Sequence, residues 1–302
     1  MVGGGGFIGR HVAAALAACG AEAHATTRGA APGAKDHPLD LRDDDAVRAL
    51  VAEVRPAITF NLAGYGVDAG ERDEGEAELL NDRFVGVLAE AVASALTLRD
   101  ARWPGLDLVH AGSALEYGTV EGDLHEWAQP RPTTLYGRTK LGGTRRLSRS
   151  CRELATTGLK AATARLFMVY GPGEHEGRLL PSLLLAAATR TPLKLTAGKQ
   201  ERDFTFVGDA AEGLLRLGVA SGVRTGEVVN LATGRLTSVR AFVETAARVV
   251  GLAPELLRFG ELPTRDEEMR HAPVAVARAK ELLGWLPSTP IDGGVRRSAS
   301  GR

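Results

Sequence analysis

The sequence has few cysteines, no long apolar run and no excess of charge of either sign. Lys plus Arg and Asp plus Glu each total 37, so the formal net charge is zero and no nucleic-acid surface is predicted. The two cysteines, Cys19 and Cys151, stand in unrelated contexts, which excludes a disulfide framework or a cysteine-based metal site. No run is long enough for a membrane span, and no signal-peptide pattern is recognised. We therefore expect a cytoplasmic protein that binds no nucleic acid, membrane or metal.

What the sequence does contain is a globular composition over 302 residues, with 44% hydrophobic and 25% charged residues. That length allows one large domain or two ordinary ones. Apolar strand patterns and helical patterns alternate along the chain, which indicates a parallel α/β sheet. The predicted strands cover residues 21–27, 57–62, 106–111, 161–169 and 228–231. The predicted helices cover residues 7–18, 43–53, 76–98, 136–157, 179–189, 238–250 and 274–283, and residues 296–302 are expected to be poorly ordered.

A glycine-rich turn opens the chain. Gly3, Gly6 and Gly9 fit the spacing G-x-x-G-x-x-G ahead of an apolar helix. Gly3 permits a tight turn, Gly6 lets the backbone approach a pyrophosphate, and Gly9 lets the helix pack closely on the sheet. The unpaired N–H groups of the helix would face the phosphates. Only two residues precede the turn, fewer than a central strand needs, so a truncated first strand or a flexible N-terminal tail is the alternative.

The second predicted strand ends in Thr26-Thr27-Arg28. A fold that prefers NAD commonly ends this strand with a carboxylate, which binds the ribose 2′-hydroxyl. Arginine instead suits a 2′-phosphate, because its planar fork binds that group bidentately. The ending therefore favours NADP over NAD, and a solvated Arg28 is the alternative.

Tyr136 and Lys140 are four residues apart on a predicted helix and share one of its faces. A neighbouring ammonium favours the phenolate, so we expect the pKa of Tyr136 to fall toward neutrality and the phenol to serve as an acid or base. An ordinary surface pair is the alternative. Ser113 follows a predicted strand and therefore lies at the carboxyl edge of the sheet, where such folds admit their ligands.

Taken in order, these motifs resemble the extended short-chain dehydrogenase/reductase family, in its nucleotide-sugar epimerase, dehydratase and reductase branch. The resemblance covers nearly the whole chain. It is carried by Gly3-x-x-Gly6-Phe7-Ile8-Gly9, Asp40-Leu41, Asn61-Leu62-Ala63, Ser113-Ala-Leu-Glu-Tyr117-Gly118, Tyr136-x-x-x-Lys140, Arg165-Leu-Phe-Met168-Val-Tyr170-Gly-Pro172, Arg202-Asp203-Phe204 and Leu283-Gly284-Trp285.

The resemblance implies an α/β fold with a Rossmann-type doubly wound parallel sheet and a smaller C-terminal α/β substrate-binding domain. The cofactor domain would span residues 1–172 and about 204–235, and the substrate domain residues 173–203 and 236–302. A homodimer through the helices at 76–98 and 136–157 is also implied. The implied NAD(P) ligands are Gly3, Gly6, Phe7, Ile8, Gly9, Arg28, Asp40, Leu41, Leu62, Ala63, Gly64, Tyr136 and Lys140.

The resemblance also assigns the chemistry. Tyr136 would be the acid/base, Lys140 would lower its pKa and bind the nicotinamide ribose, and Ser113 would hydrogen-bond the reacting oxygen. Family members that dehydrate sugars carry Asp-Glu after the catalytic Ser or Thr, whereas Ala114 and Leu115 stand here, so loss of water is not expected.

On the substrate side, the resemblance points to Ser113, Leu115, Met168 and Arg202. Met168 stands where Asn is usual, and Arg202 would bind the substrate's phosphates, a structural salt bridge being the alternative. His271 is assigned no role.

The favoured function is NADPH-dependent 4-ketoreduction of an NDP-4-keto-6-deoxyhexose, because net reduction needs an exchangeable reduced cofactor. The alternative is a 4-epimerase similar to UDP-glucose 4-epimerase, with NAD tightly bound. A third hypothesis, a cofactor-sensing protein without catalysis, fits less well because such a protein need not keep Ser113, Tyr136 and Lys140 together.

Overall fold

The computed structural model describes residues 1–29, 35–67, 70–99, 103–263 and 272–300; His271 lies outside them. The strands are β1 Ala25–Thr27, β2 Asp36–Pro38, β3 Thr59–Asn61, β4 Leu108–Ser113, β5 Ala161–Leu166, β6 Met168–Tyr170, β7 Leu193–Leu195, β8 Glu201–Phe206, β9 Glu227–Leu231, β10 Leu236–Ser238 and β11 Leu257–Phe259. The helices are α1 Phe7–Ala18, α2 Asp44–Val54, α3 Glu74–Glu78, α4 Phe84–Ala95, α5 Leu135–Glu153, α6 Leu179–Thr189, α7 Val207–Val219, α8 Val239–Val250, α9 Ala277–Leu283 and α10 Ile291–Ser300.

A parallel sheet forms the centre of the fold. Strands β3, β4, β5 and β9 are hydrogen-bonded in that order, and β1 pairs with β2, all in parallel. The first two residues join these groups. Val2 pairs with Asn61, and the amide of Thr26 donates to the carbonyl of Met1 at 2.9 Å. The spatial order is thus β2, β1, Val2, β3, β4, β5, β9, which is the doubly wound arrangement. The predicted α/β class with a Rossmann-type parallel sheet is confirmed.

The short first segment is held as a strand, not as a tail. The amide of Val2 donates to the Phe60 carbonyl at 2.9 Å, and the amide of Leu62 donates to the Val2 carbonyl at 3.0 Å. Val2 is also buried. Two residues suffice here because strands on both sides satisfy their backbone groups.

Helices cover both faces of this sheet. Helix α1 packs on α7 on one side, and α2, α4 and α5 pack in succession on the other. Neighbouring residues of β4 point to opposite faces, as strand geometry requires. Val109 joins the core beneath α1 and α7, while Leu108 joins the core beneath α2, α4 and α5.

Smaller sheets lie beyond the central one. Strand β8 pairs with β6 in parallel and with β10 antiparallel, and β7 pairs with β11 in parallel. Helices α6, α8 and α10 pack on one another beside them. The strand expected at 161–169 is in fact two: β5 stays in the central sheet, and β6 enters the three-stranded sheet after Phe167. The predicted domain boundaries stay a prediction.

Several predicted boundaries shift. The strand expected from residue 21 begins only at Ala25, because Gly20, with φ of 73°, ends the turn after α1. The disorder expected at 296–302 is wrong for residues 296–300, which belong to α10. That helix is ordered by contacts that the sequence does not reveal: Val295 is buried, and Gly294 packs against the Tyr170 ring. Across the residues described, no helix is long and apolar enough to cross a membrane.

Candidate active site

The glycine turn folds onto the end of β3. Gly3 has φ of +74°, and a Cβ there would lie 2.9 Å from the Ala63 nitrogen. A Cβ at Gly9 would lie 2.3 Å from the Gly3 carbonyl oxygen. Gly6 is the N-cap of α1 and has no side chain to accept from the first amides of the helix. The cradle therefore offers the free N–H groups and the close backbone approach that a pyrophosphate requires.

The other predicted cofactor residues lie around this turn. Leu62 and Ala63 touch it directly, and Phe7 and Ile8 begin α1 half-buried. Arg28 is exposed just beyond β1. Asp40 and Leu41 already contact other residues of the protein, so they are less available to a cofactor than expected. The Asp40 carboxylate pairs with Arg42 at 2.8 Å, which lowers its pKa, and Leu41 packs against the core beneath α2, α4 and α5.

The Tyr136 and Lys140 side chains project from the first turns of α5. Thr134 caps the helix by accepting from the Gly137 amide at 3.0 Å. Gly137 makes room for the strand end opposite, since a Cβ there would lie 2.3 Å from the Leu115 carbonyl oxygen. The Ser113 side chain lies near enough to the Tyr136 phenol to lower its pKa. A Cβ at Gly64 would lie 4.0 Å from the same phenol oxygen. The structure therefore brings Ser113, Gly64 and Tyr136 together.

The pKa of Tyr136 is raised above its ordinary value, chiefly because burial disfavours the phenolate. The negative charge of Glu116 raises this pKa further, as does that of Glu71, whereas Arg178 lowers it. The prediction that Lys140 brings this pKa toward neutrality is wrong for the free protein, because desolvation outweighs the lowering effects of Arg178 and Ser113. Tyr136 is accordingly a neutral phenol, which is the form that donates a proton.

Lys140 is not a surface residue. Its relative exposure is 2%, and burial lowers the pKa of its ammonium to about 8, against the opposing charge of Glu116. A buried cation of this kind is costly unless it serves a ligand or a reaction.

The comparisons with known proteins agree with this geometry. Residues 1–232 match the model of the NAD dependent epimerase/dehydratase family, which is more than half of the chain. The chain belongs to this family. The family resemblance stated from the sequence is confirmed, and the site described above occupies the matched part of the chain.

Relatives within the family differ in their named activities. The chain is 29% identical, over 98% of its length and 92% of the relative's, to dTDP-6-deoxy-L-talose 4-dehydrogenase (NAD(P)(+)) of Kitasatospora kifunensis. It is also 29% identical to UDP-glucose 4-epimerase of Streptomyces lividans, over 95% and 91% of the two chains. Among solved structures, MoeE5 in complex with UDP-glucose and NAD has a TM-score of 0.84 and 27% identity, covering 99% of this chain and 96% of that one.

Asn81 is a residue of the site that the sequence did not reveal. The expected helix at 76–98 contains a π turn, Leu79–Arg83, which directs Asn81 inward. Its amide donates to the Tyr65 carbonyl at 2.7 Å and to the Thr139 hydroxyl at 2.9 Å, and its oxygen accepts from the Tyr65 amide. Asn81 thus connects the loop after β3 to α5, next to Lys140, through these hydrogen bonds. A π turn leaves no clear sequence pattern.

Glu116 was also missed, although a sequence pattern marks it. Ser113 and Glu116 form a capping box at the short 3-10 turn Ala114–Glu116, and the spacing S-x-x-E is the signature of that motif. Glu116 is fully buried and pairs with Arg165 at 2.9 Å. It lies near enough to Tyr136 and Lys140 to affect the pKa of each.

The predicted substrate-side residues lie on two elements. Leu115 is half-buried on the 3-10 turn, while Met168 is half-buried on β6 and Arg202 is buried on β8, in one small sheet. Arg202 donates to the Glu201 carbonyl at 2.6 Å, and burial lowers its pKa to about 10. The sequence did not predict Arg178, whose charge acts on Tyr136.

Arg178 is paired with a buried carboxylate on the same loop. The two side chains, Glu174 and Arg178, lie 3.5 Å apart. Burial raises the pKa of Glu174 to about 7. Within the described part of the chain, no group of three or more His, Cys, Asp or Glu could hold a metal ion.

Proposed function

We propose that the chain is an NADPH-dependent 4-ketoreductase of an NDP-4-keto-6-deoxyhexose. The observation that carries the proposal is that Ser113 and a protonated Tyr136 lie near each other, with Gly64 beside the phenol and the buried Lys140 one helical turn further along α5. The relative named as a 4-dehydrogenase of a dTDP-deoxysugar supports this class of reaction.

The proposed chemistry follows from the side chains. Reduction of a ketone builds negative charge on its oxygen, and donors aimed at that oxygen stabilise it. Ser113 and Tyr136 would both donate to it, and Tyr136 would deliver the proton. Tyr136 is a neutral phenol in the free protein and therefore carries the proton that this reaction needs. Bound NADPH would supply the hydride, and Lys140 would hold the nicotinamide ribose.

The cofactor proposal rests on the cradle and on Arg28. The close backbone packing at Gly3 and Gly9, which a Cβ would disrupt, forms a tight turn that leaves the uncapped N-terminus of α1 available to a pyrophosphate. The exposed Arg28 would bind the 2′-phosphate, and Asp40 and Leu41 would flank the adenine. A relative named for NAD(P) supports a nicotinamide cofactor without choosing between the two forms.

For the substrate, we propose that Arg202 binds the diphosphate and that Leu115 and Met168 line the sugar pocket. Ala114 and Leu115 carry no acid or base, so dehydration is not part of the proposal. We also propose the domain division at 1–172 with about 204–235 against 173–203 and 236–302. A homodimer through the helices near 76–98 and 136–157 is the proposed assembly.

The test measures NADPH oxidation with a panel of NDP-4-keto-6-deoxyhexoses. Tyr136→Phe should lose activity by a factor on the order of 10² to 10⁴, the usual contribution of a general acid. Tyr65→Phe is the matched control, because Tyr65 lies on the neighbouring loop and its hydroxyl accepts a long hydrogen bond from the Asp73 amide at 3.4 Å. The proposal fails if wild type and Tyr136→Phe turn over equally.

A 4-epimerase is the second candidate, favoured by the similarity to the Streptomyces lividans enzyme. In that reaction the same Tyr136 would first remove and later return a proton, and NAD would stay bound. NAD that co-purifies with the protein, with inversion at C4 and no net NADPH consumption, would support it. Binding of cofactor without turnover of any sugar nucleotide would instead indicate the non-catalytic hypothesis.

A further inference from the structure

Glu116 connects three parts of the site through one buried carboxylate. Oε1 accepts from the Ser113 amide at 2.7 Å. Oε2 accepts from the Thr144 hydroxyl at 3.0 Å and from Nε of Arg165 at 2.9 Å. Gly112 makes this placement possible, since a Cβ there would lie 2.6 Å from Oε1. The strand end β4, the helix α5 and the strand β5 therefore meet at this residue.

The hydrogen bond to Thr144 has a consequence for the catalytic pair. Tyr136, Lys140 and Thr144 are spaced four residues apart along α5 and so lie on one face of the helix. One carboxylate oxygen of Glu116 thus binds Thr144, on the helix face that carries Tyr136 and Lys140. The other oxygen binds the backbone amide of Ser113. The Glu116 side chain therefore sets the position of one proposed donor, Ser113, relative to the other, Tyr136.

We propose that Glu116 is a positioning residue of the reductase site, which holds Ser113 against the Tyr136 face of α5 and places a negative charge near Lys140. The inference rests on the proposed function. Glu116 does not meet the substrate in this role, because its relative exposure is 0%. It acts through the three residues that it touches or faces.

The charges around the site favour this role. Burial alone lowers the pKa of Lys140, and Glu116 raises it. After burial, Glu116 is also the largest cause that raises the pKa of Tyr136. The other charged or titratable groups that face these residues are Arg165 beside Glu116, His110 beside Lys140, and Arg178 and Glu71 beside Tyr136. His110 is neutral, because burial and the Lys140 charge lower its pKa well below the ordinary value.

The experiment compares Glu116→Gln with Thr144→Val. The Gln variant keeps the shape and loses the charge, whereas the Val variant loses one hydrogen bond and keeps the charge. The first readout is an NMR titration of the Lys140 Cε resonance in the cofactor-free protein, assigned by its loss in Lys140→Met. In Glu116→Gln the titration midpoint should move from about 8 to lower pH by about one unit or more. In Thr144→Val the midpoint should stay in place.

The second readout is the pH dependence of kcat/KM. With the midpoint one unit lower, kcat/KM of Glu116→Gln should fall about fivefold further at pH 8 than at pH 6, because less Lys140 is protonated. A merely structural role would lower activity equally at both pH values. If wild type reduces no 4-keto sugar nucleotide, the proposed function fails, and the NMR midpoint still decides whether Glu116 controls the charge of Lys140.

A second variant covers the case in which Glu116→Gln leaves Arg165 unpaired and does not fold. The double variant Glu116→Gln/Arg165→Met removes both charges of the buried pair together. It should show the same downward movement of the Lys140 midpoint, because Glu116 is the charge that acts on Lys140. An unchanged midpoint in the folded single or double variant overturns the inference.

Discussion

Replacing Lys140 by Met should stabilise the free protein while abolishing its function. Burial lowers the pKa of this lysine from 10.5 to about 8, so the folded state holds its proton less tightly than the unfolded state. At 1.36 kcal/mol per pH unit, the charged ammonium costs the fold on the order of 3 kcal/mol at pH 7. Met has a similar length and no charge, so it removes this cost.

The free-energy cost of the Lys140 charge should decrease as the pH rises. For a lysine with a lowered folded pKa, the cost is fully present below the folded value of about 8 and disappears above the unfolded value, since the unfolded state binds more protons in between. The stabilisation by Lys140→Met should therefore be on the order of 3 kcal/mol at pH 7 and less than about 1 kcal/mol at pH 10.

Urea unfolding of wild type and Lys140→Met at both pH values measures this difference. The exposed Lys280 on α9 provides the control variant Lys280→Met, which should change the free energy of unfolding little at either pH. A Lys140→Met protein that is less stable than wild type at pH 7, or equally stabilised at pH 7 and pH 10, would refute the reasoning. NADPH binding should be lost in the same variant.

Three further predictions concern neighbouring features. Gly9→Ala should destabilise the protein by about 1–3 kcal/mol, because the added Cβ would lie 2.3 Å from the Gly3 carbonyl oxygen. The control variant Gly5→Ala, with nothing within 4 Å of its Cβ, should keep the wild-type Tm. An equal loss of stability in both variants would contradict the packing argument. Arg28→Ala should weaken NADP binding far more than NAD binding in calorimetric titrations, and an equal loss for both would show that Arg28 does not bind the 2′-phosphate. Glu174→Gln should raise the Tm at pH 8 but not at pH 5. Burial raises the Glu174 pKa to about 7, so the buried carboxyl carries its costly charge only at the higher pH. A Tm increase at pH 5 alone would contradict this reasoning.

The sequence predicted the central sheet well because its signals are local. Alternating apolar strands and helices, the glycine spacing and the Tyr136/Lys140 pair each follow from short stretches of chain. The end of the 161–169 segment could not be predicted, because its division into β5 and β6 depends on which sheets lie on either side. Helix α10 was missed for a similar reason. Its order comes from packing against Tyr170, far away in sequence.

The pKa changes of the site residues were the property that the sequence predicted least well. The spacing of Tyr136 and Lys140 is correct for a shared helix face, yet the sign of the Tyr136 pKa change depends on burial, which spacing does not give. Glu116 acts on both residues from another element, and Arg178 acts from a loop after β6. Such contacts arise only when strand ends and loops converge at one edge of the sheet.

The central claim is that this site transfers a hydride to the C4 carbonyl of a nucleotide-linked sugar and protonates the oxygen from Tyr136. The most direct test is to incubate the protein with a 4-keto-6-deoxyhexose nucleotide and NADPH deuterated at the transferred position, then locate the deuterium by NMR. The account predicts one deuterium at C4 of each product molecule and an equal amount of NADP formed. Recovery of the unreduced 4-keto substrate, with no deuterium at C4 and no NADPH consumed, would contradict it.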